Sequence, residues 1–193
     1  MLNKQDFKDM RNRFHKLDEQ RERIIIRSRE LIRLSKQIIY SVHRDDFSNI
    51  AGFIKRIESV KREVDNIVKK NPKLLTVGAY KVGIGEYVEA LLYFHFVKNS
   101  KIPAHNQLKV STENYLFGLC DLTGELVRKA VFLAGKGKNK EVVQIKDLVD
   151  EIYGEVLKFD VRENELRKKI DSIKYDLKKL EDLVLDLKLK GKK

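Results

Sequence analysis

Apolar residues recur at helical spacing along almost the whole chain, and only two of its 193 residues are proline. That combination confines the fold to long helices packed side by side. Ile24, Leu31 and Ile38 return every seven residues, and Ile25, Ile32 and Ile39 do the same, within one helix expected over 3–43. Ser28 and Ser35 fall inside that stripe, where small side chains let another helix approach closely. A second helix is expected over 46–70, ended by Asn71-Pro72 because proline disfavours helical geometry in the residue before it. A third covers 75–98, a fourth 112–134 with Ser111 as its N-cap, a fifth 140–157 and a last 160–189. Residues 99–111 form the most loop-like connection, and Gly135-Lys136-Gly137-Lys138-Asn139 stops the fourth helix. The last helix carries Leu166, Ile170, Ile173, Leu177, Leu180, Val184 and Leu187 in 4-3 spacing, a seam that needs a partner within the subunit or from another one. No stretch alternates with period two. The expected fold is all-α, a single domain spanning 1–193.

Two acidic sequences interrupt these apolar helices. Glu86-Tyr87-Val88-Glu89 sets two carboxylates three residues apart, and Asp121-Leu122-Thr123-Gly124-Glu125 sets two four apart, so each pair shares a helical face. Glu86 and Glu89 share theirs with Ala90, Tyr93 and Val97; Asp121 and Glu125 share theirs with Phe117, Gly118, Arg128 and Phe132. A lone carboxylate is costly to bury on such faces. Four carboxylates converging from two helices are an oxygen-only donor set suited to Mg²⁺ or Mn²⁺. Such an ion activates water and stabilises the charge of a phosphodiester displacement. The alternative is structural, with Glu86 or Glu125 paired to Arg128 or to lysines of neighbouring helices. Gly118 and Gly124 leave room beside the acids for another helix or a ligand.

The charge balance supplies the second constraint. Forty-one Lys and Arg against 29 Asp and Glu give a net charge of +12, which points to a polyanionic partner, nucleic acid foremost. On the first helix, Arg29, Arg33 and Lys36 project within about 60° of one another, with Arg44 nearby. Lys98 ends the acidic third helix. Cations arranged this way hold phosphates with salt-dependent, sequence-blind affinity. Tyr93 or Phe94 offers a ring for base stacking, with core packing as the alternative. Several chemistries are excluded: there is no Ser-His-Asp or Cys-His arrangement and no phosphate-cradling glycine loop. His15, His43, His95 and His105 lack zinc-site spacing, although His95 follows Glu89 closely enough to approach the acids. Cys120 sits among leucines as a packing residue, and one cysteine allows no internal disulfide, in keeping with a reducing cytoplasm. No run of 18 apolar residues marks a membrane span.

The segments Gly83-Ile84-Gly85-Glu86-Tyr87-Val88-Glu89-Ala90 with His95-Phe96-Val97-Lys98, and Tyr115 through Leu126 with its Asp-Leu-Thr-Gly-Glu core, resemble the translin family and within it the translin-associated factor X (TRAX) branch. Glu22-Arg23, Ser28-Arg29, Ser35-Lys36 and His43-Arg44 extend the likeness into the first helix, and weaker likeness reaches Lys188-Leu189-Lys190-Gly191. The resemblance implies a seven-helix fold, a hollow octamer with RNA inside, and a Mg²⁺-dependent endoribonuclease acting on single-stranded or partly unpaired RNA. By it, Glu86, Glu89 and Asp121 bind the catalytic metal, with Glu125 as a further ligand or a base. Arg29, Lys36 and Arg44 match the family pattern and Arg33 does not. The other readings are a non-catalytic shell binding single-stranded DNA or RNA, and a helical scaffold docking proteins through the final seam.

Overall fold

The computed structural model describes residues 2–162 and 164–190. Seven α-helices and no strand occur among them: α1 (Lys4–His43), α2 (Ile50–Lys70), α3 (Gly78–Asn99), α4 (His105–Leu108), α5 (Thr112–Gly135), α6 (Asn139–Val156) and α7 (Asn164–Lys190), with a 3₁₀ turn at Pro72–Thr76. The periodicity accounts for six of these. The seventh, α4, is a single turn inside the expected loop, too short to show an apolar period.

The helix starts follow from local chemistry. The Asn3 side chain accepts from the amides of Gln5 (3.1 Å) and Asp6 (3.3 Å) to cap α1, and Ser111 Oγ accepts from the Asn114 amide (3.2 Å) to cap α5. Helix α2 begins at Ile50 rather than 46, because Asp45 takes a left-handed conformation (φ 55°) and Asp46 accepts from the Ser48 amide and hydroxyl, turning the chain first. Gly137, at φ 72°, lets the chain leave α5 where a bulkier residue would be strained.

Helix directions position the site. Helix α2 runs antiparallel to α1, through Arg56–Glu30 (2.6 Å), Arg27–Glu63 (2.9 Å) and Asn71–Gln20 (3.1 Å). Helix α3 runs the same way as α1: Gly83 abuts Ser28, and Tyr93 reaches His43. Helix α5 runs parallel to α3 in turn, since Lys81 pairs with Glu113 near their starts (3.3 Å) and Val97 shares a cavity wall with Phe132 near their ends. Residues 100–111 must therefore lead the chain back along the whole bundle. On that return path, Tyr115 Oη donates to the Pro103 carbonyl (2.8 Å) and buried Lys61 donates to that of Lys109 (2.6 Å).

The core is one connected cluster drawing on all the long helices. Ser28 and Ser35 are fully buried with unpartnered hydroxyls. They are there for size: a Cβ added at Gly83 would lie 3.0 Å from that of Ser28. The seam of α7 is covered within the chain, by α5 and α6: Leu166, Ile170, Ile173, Leu177, Leu180 and Val184 are buried. No helix of the described residues is long and apolar enough to cross a membrane.

Candidate active site

Because α3 and α5 are parallel and touch at Gly85, Val88 and Gly118, the mid-helix acids of both lie at one height. Glu86, Glu89 and Glu125 line a single cavity of about 290 Å³ with Lys36, Ile39, Tyr40 and Arg128. Asp121 acts electrostatically on both glutamates of α3. The two acidic pairs thus converge from two helices.

Their environments differ. Glu89 is 9% exposed and has no hydrogen-bond or ion-pair partner among the described residues. Burial, and then the charges of Asp121, Glu86 and Glu125, push its carboxyl up to about 8. Burial also raises Glu86, against the pull of Lys36. Asp121 is ion-paired with Lys169 of α7. Glu125 meets Nε2 of buried His43, whose Nδ1 lies 2.9 Å from the Tyr93 hydroxyl; Arg128 stands 3.9 Å away. A carboxylate can only accept, so the ring proton belongs on Nε2, and Tyr93 donates to Nδ1. This orients Glu125 through a buried relay, and the sequence alternative of an Arg128 pair becomes its weaker contact.

An oxygen-seeking divalent cation fits this donor set: four carboxylates, the most buried of them lacking any counterpart. The side chains are not drawn onto one ion position, however, and no three His, Cys, Asp or Glu groups of the described residues are arranged to hold a metal. Asp121 and Glu125 are turned instead to Lys169 and His43. The metal-free protein should accordingly be pH-sensitive. Unfolded, Glu89 ionises near its ordinary value of 4.5; folded, it holds its proton to about 8. Between those values the unfolded chain binds fewer protons, so stability should fall from about pH 5 to 8 and level off above. Thermal melts in EDTA across that range test this, and a profile equally steep in Glu89→Gln would contradict it.

Arg29, Arg33 and Lys36 lie exposed on α1 and Arg44 exposed at its C-cap, and none is ion-paired to a described carboxylate. The first three line an open strip of the α1 surface with Ile32, Gln37 and Tyr40, and Lys36 and Tyr40 also line the acid cavity, so the two adjoin. Arg44 donates to Tyr40 Oη (2.9 Å) and lies over its ring, 5.4 Å from the centroid. The sequence marks His43 only by its lack of zinc-site spacing and its place in the family likeness, and it carries no local signal for Tyr40 or Lys169; Tyr40 is 56% exposed within the basic strip.

Lys98 is elsewhere. Its ammonium lies 5.3 Å from the Phe94 ring centroid, in a separate groove with Phe47, Ile50 and Glu58. His95 does not approach the acids either: it lies edge-on to Phe94, facing Lys98 and Glu58. Tyr93 and Phe94 are core residues, 0% and 6% exposed, which removes them as stacking platforms. Cys120 is buried, and that burial pushes its thiol up to about 12, which makes it inert packing.

The translin family profile matches residues 19–191. The chain belongs to the translin family. It is 24% identical to mouse translin-associated protein X over 96% of this chain and 78% of that one, and 27% identical to the fission yeast homologue over 78% and 70%. An uncharacterized protein of Methanocaldococcus jannaschii is 30% identical over 74% of this chain. That match spans 64% of the M. jannaschii protein, and the match to chicken translin spans 34% of it. Among these the likeness runs furthest to translin-associated protein X, in agreement with the TRAX-like acidic motifs. Of solved structures, apo-NeC3PO superposes with a TM-score of 0.88 at 28% identity, covering 97% of this chain and 98% of that one. The fold is also that of AfC3PO in its duplex RNA complex (TM-score 0.86, 20% identity, 95% and 97% covered).

Proposed function

We propose that this translin-family chain is a metal-dependent endoribonuclease that cuts single-stranded or partly unpaired RNA, working as a homo-oligomer. The carrying observation is that the basic strip of α1 adjoins the acid cavity at Lys36 and Tyr40. A strand laid on Arg29, Arg33 and Lys36 brings a phosphodiester to the carboxylates. The cavity, about 290 Å³, has room for one phosphate and its water, and no side chain of the described residues is placed to read base edges. Glu86, Glu89 and Asp121 would hold Mg²⁺ or Mn²⁺, which supplies water activation and charge stabilisation when bound. Glu125, fixed by His43 and Tyr93, is oriented to accept a proton from an attacking water. The C3PO likenesses, one a duplex RNA complex, support an RNA partner and an assembled form; the octamer and the cytoplasmic site belong to this proposal too.

An RNA cleavage assay with and without EDTA, on material sized by light scattering, tests the reading. Mg²⁺-dependent cutting of unpaired RNA is expected, and binding without cutting under any Mg²⁺ or Mn²⁺ condition would overturn it. That second outcome corresponds to a binding shell for single-stranded DNA or RNA, which the engagement of Asp121 with Lys169 and of Glu125 with His43 favours.

The strip makes its own prediction. Arg29→Ala with Lys36→Ala should weaken RNA binding about tenfold near 0.1 M salt and lower the slope of log K against log salt by about 1.4. Lys98→Ala, in its separate groove, should change neither. Fluorescence anisotropy across a salt series measures both.

A further inference from the structure

We propose that Lys169 is a tethered monovalent occupant of the acid cluster, which a divalent cation must displace. The inference rests on the functional reading above and concerns how that site is regulated. Lys169 is carried by α7 and ion-paired with Asp121 of α5, 48 positions away in sequence. Its charge also reaches Glu86 and Glu89, favouring the ionised form of each. No other cation of the described residues is ion-paired with Asp121, Glu86 or Glu89. Its place is set by the backbone: neighbouring Ile170 and Ile173 are buried, and Asp176 Oδ2, two turns on, lies 2.9 Å from Thr123 Oγ1.

Glu86, Glu89 and Glu125 in their half-buried cavity and Asp121, close enough to act on both glutamates of α3, repel one another, and a single ammonium offsets part of that repulsion. A divalent ion that takes Asp121 either expels the ammonium or tolerates a like charge beside it, and both lower its affinity. Leaving is feasible, because Lys169 is 38% exposed on a flexible four-carbon stem. Lys169 therefore keeps the metal-free protein stable and sets the ion concentration at which the site fills.

Calorimetric Mg²⁺ titrations and thermal melts of the full chain test this, with Lys169→Met, Lys169→Arg and Lys168→Met. Lys169→Met keeps the stem and removes the charge; it should bind Mg²⁺ about tenfold or more tightly, melt several degrees lower in EDTA and recover when Mg²⁺ is added. Lys169→Arg should resemble the parent. So should Lys168→Met, which removes an equal charge from an exposed neighbouring position. Unchanged or weaker Mg²⁺ binding by Lys169→Met overturns the inference, as does a loss of stability that Mg²⁺ does not restore. An equal gain in Lys168→Met overturns it as well, by reducing the effect to bulk charge. Absence of Mg²⁺ binding by the parent protein overturns the functional reading and the inference with it, whereas binding by the parent with no gain in Lys169→Met overturns the inference alone.

Discussion

Glu89→Gln and Asp121→Asn should each reduce Mg²⁺-dependent RNA cleavage by about a thousandfold or more, of the order expected when the charge stabilisation at a phosphodiester centre is removed. Both substitutions preserve size and remove one negative charge. RNA affinity should change by less than about threefold, because the cations proposed to hold phosphates, Arg29, Arg33 and Lys36, stand on α1. The two variants should diverge in stability. Glu89 is buried without a partner and favours its protonated form, so Glu89→Gln should raise the melting temperature of metal-free protein at pH 8. Asp121→Asn breaks the pair with Lys169 and should lower it slightly. Cleavage persisting in both variants would remove these acids from the chemistry. An equal loss of RNA binding would mean that the cavity had collapsed.

The largest effect on stability is expected at Gly118. A Cβ there would come within 2.5 Å of Val88 Cγ1, 2.6 Å of Val88 Cβ and 2.8 Å of the Gly85 carbonyl oxygen. The last contact is backbone, so no rotamer change relieves it and α3 must move bodily off α5. Gly118→Ala should destabilise the fold by about 1–3 kcal/mol and Gly118→Val by more. Any Gly118→Ala protein that still folds should cleave poorly, because the shift separates Glu86 and Glu89 from Asp121 and Glu125. Gly124 is the control on the same helix: the nearest atom to an added Cβ is Asp176 Oδ2 at 3.9 Å, an ordinary contact. There alanine should stabilise by about 0.5–1 kcal/mol through helix propensity alone. Urea unfolding of the three variants measures the contrast, and equal costs at the two glycines would refute the close-approach argument.

Much of this was legible in the sequence, for local reasons. Repeats of three, four and seven residues report which face of a helix is buried, and they located every long helix to within a few residues. The acid pairs were legible because charges on otherwise apolar faces are costly. What the sequence hid was long-range. Glu125 meets His43 across 82 positions and Asp121 meets Lys169 across 48, and no local period encodes such meetings. Helix polarity was hidden for the same reason, and with it the groove that Lys98 lines. Its position at the end of the acidic helix looks suitable in one dimension, yet it points into another groove.

The parallel course of α3 and α5 imposes a minimum length on the strand between them. From Asn99 back to the level of Lys81, the chain descends about 27 Å along the helix axis. Twelve residues, four of them coiled into α4, reach only about 33 Å. The segment 100–111 is thus a nearly taut strap rather than slack loop. Extra residues are accommodated at small entropic cost, whereas losing even three would drag α5 along α3 and take the two acid pairs out of step. The reach of a segment that carries none of these acids thereby fixes the register of the two acid pairs.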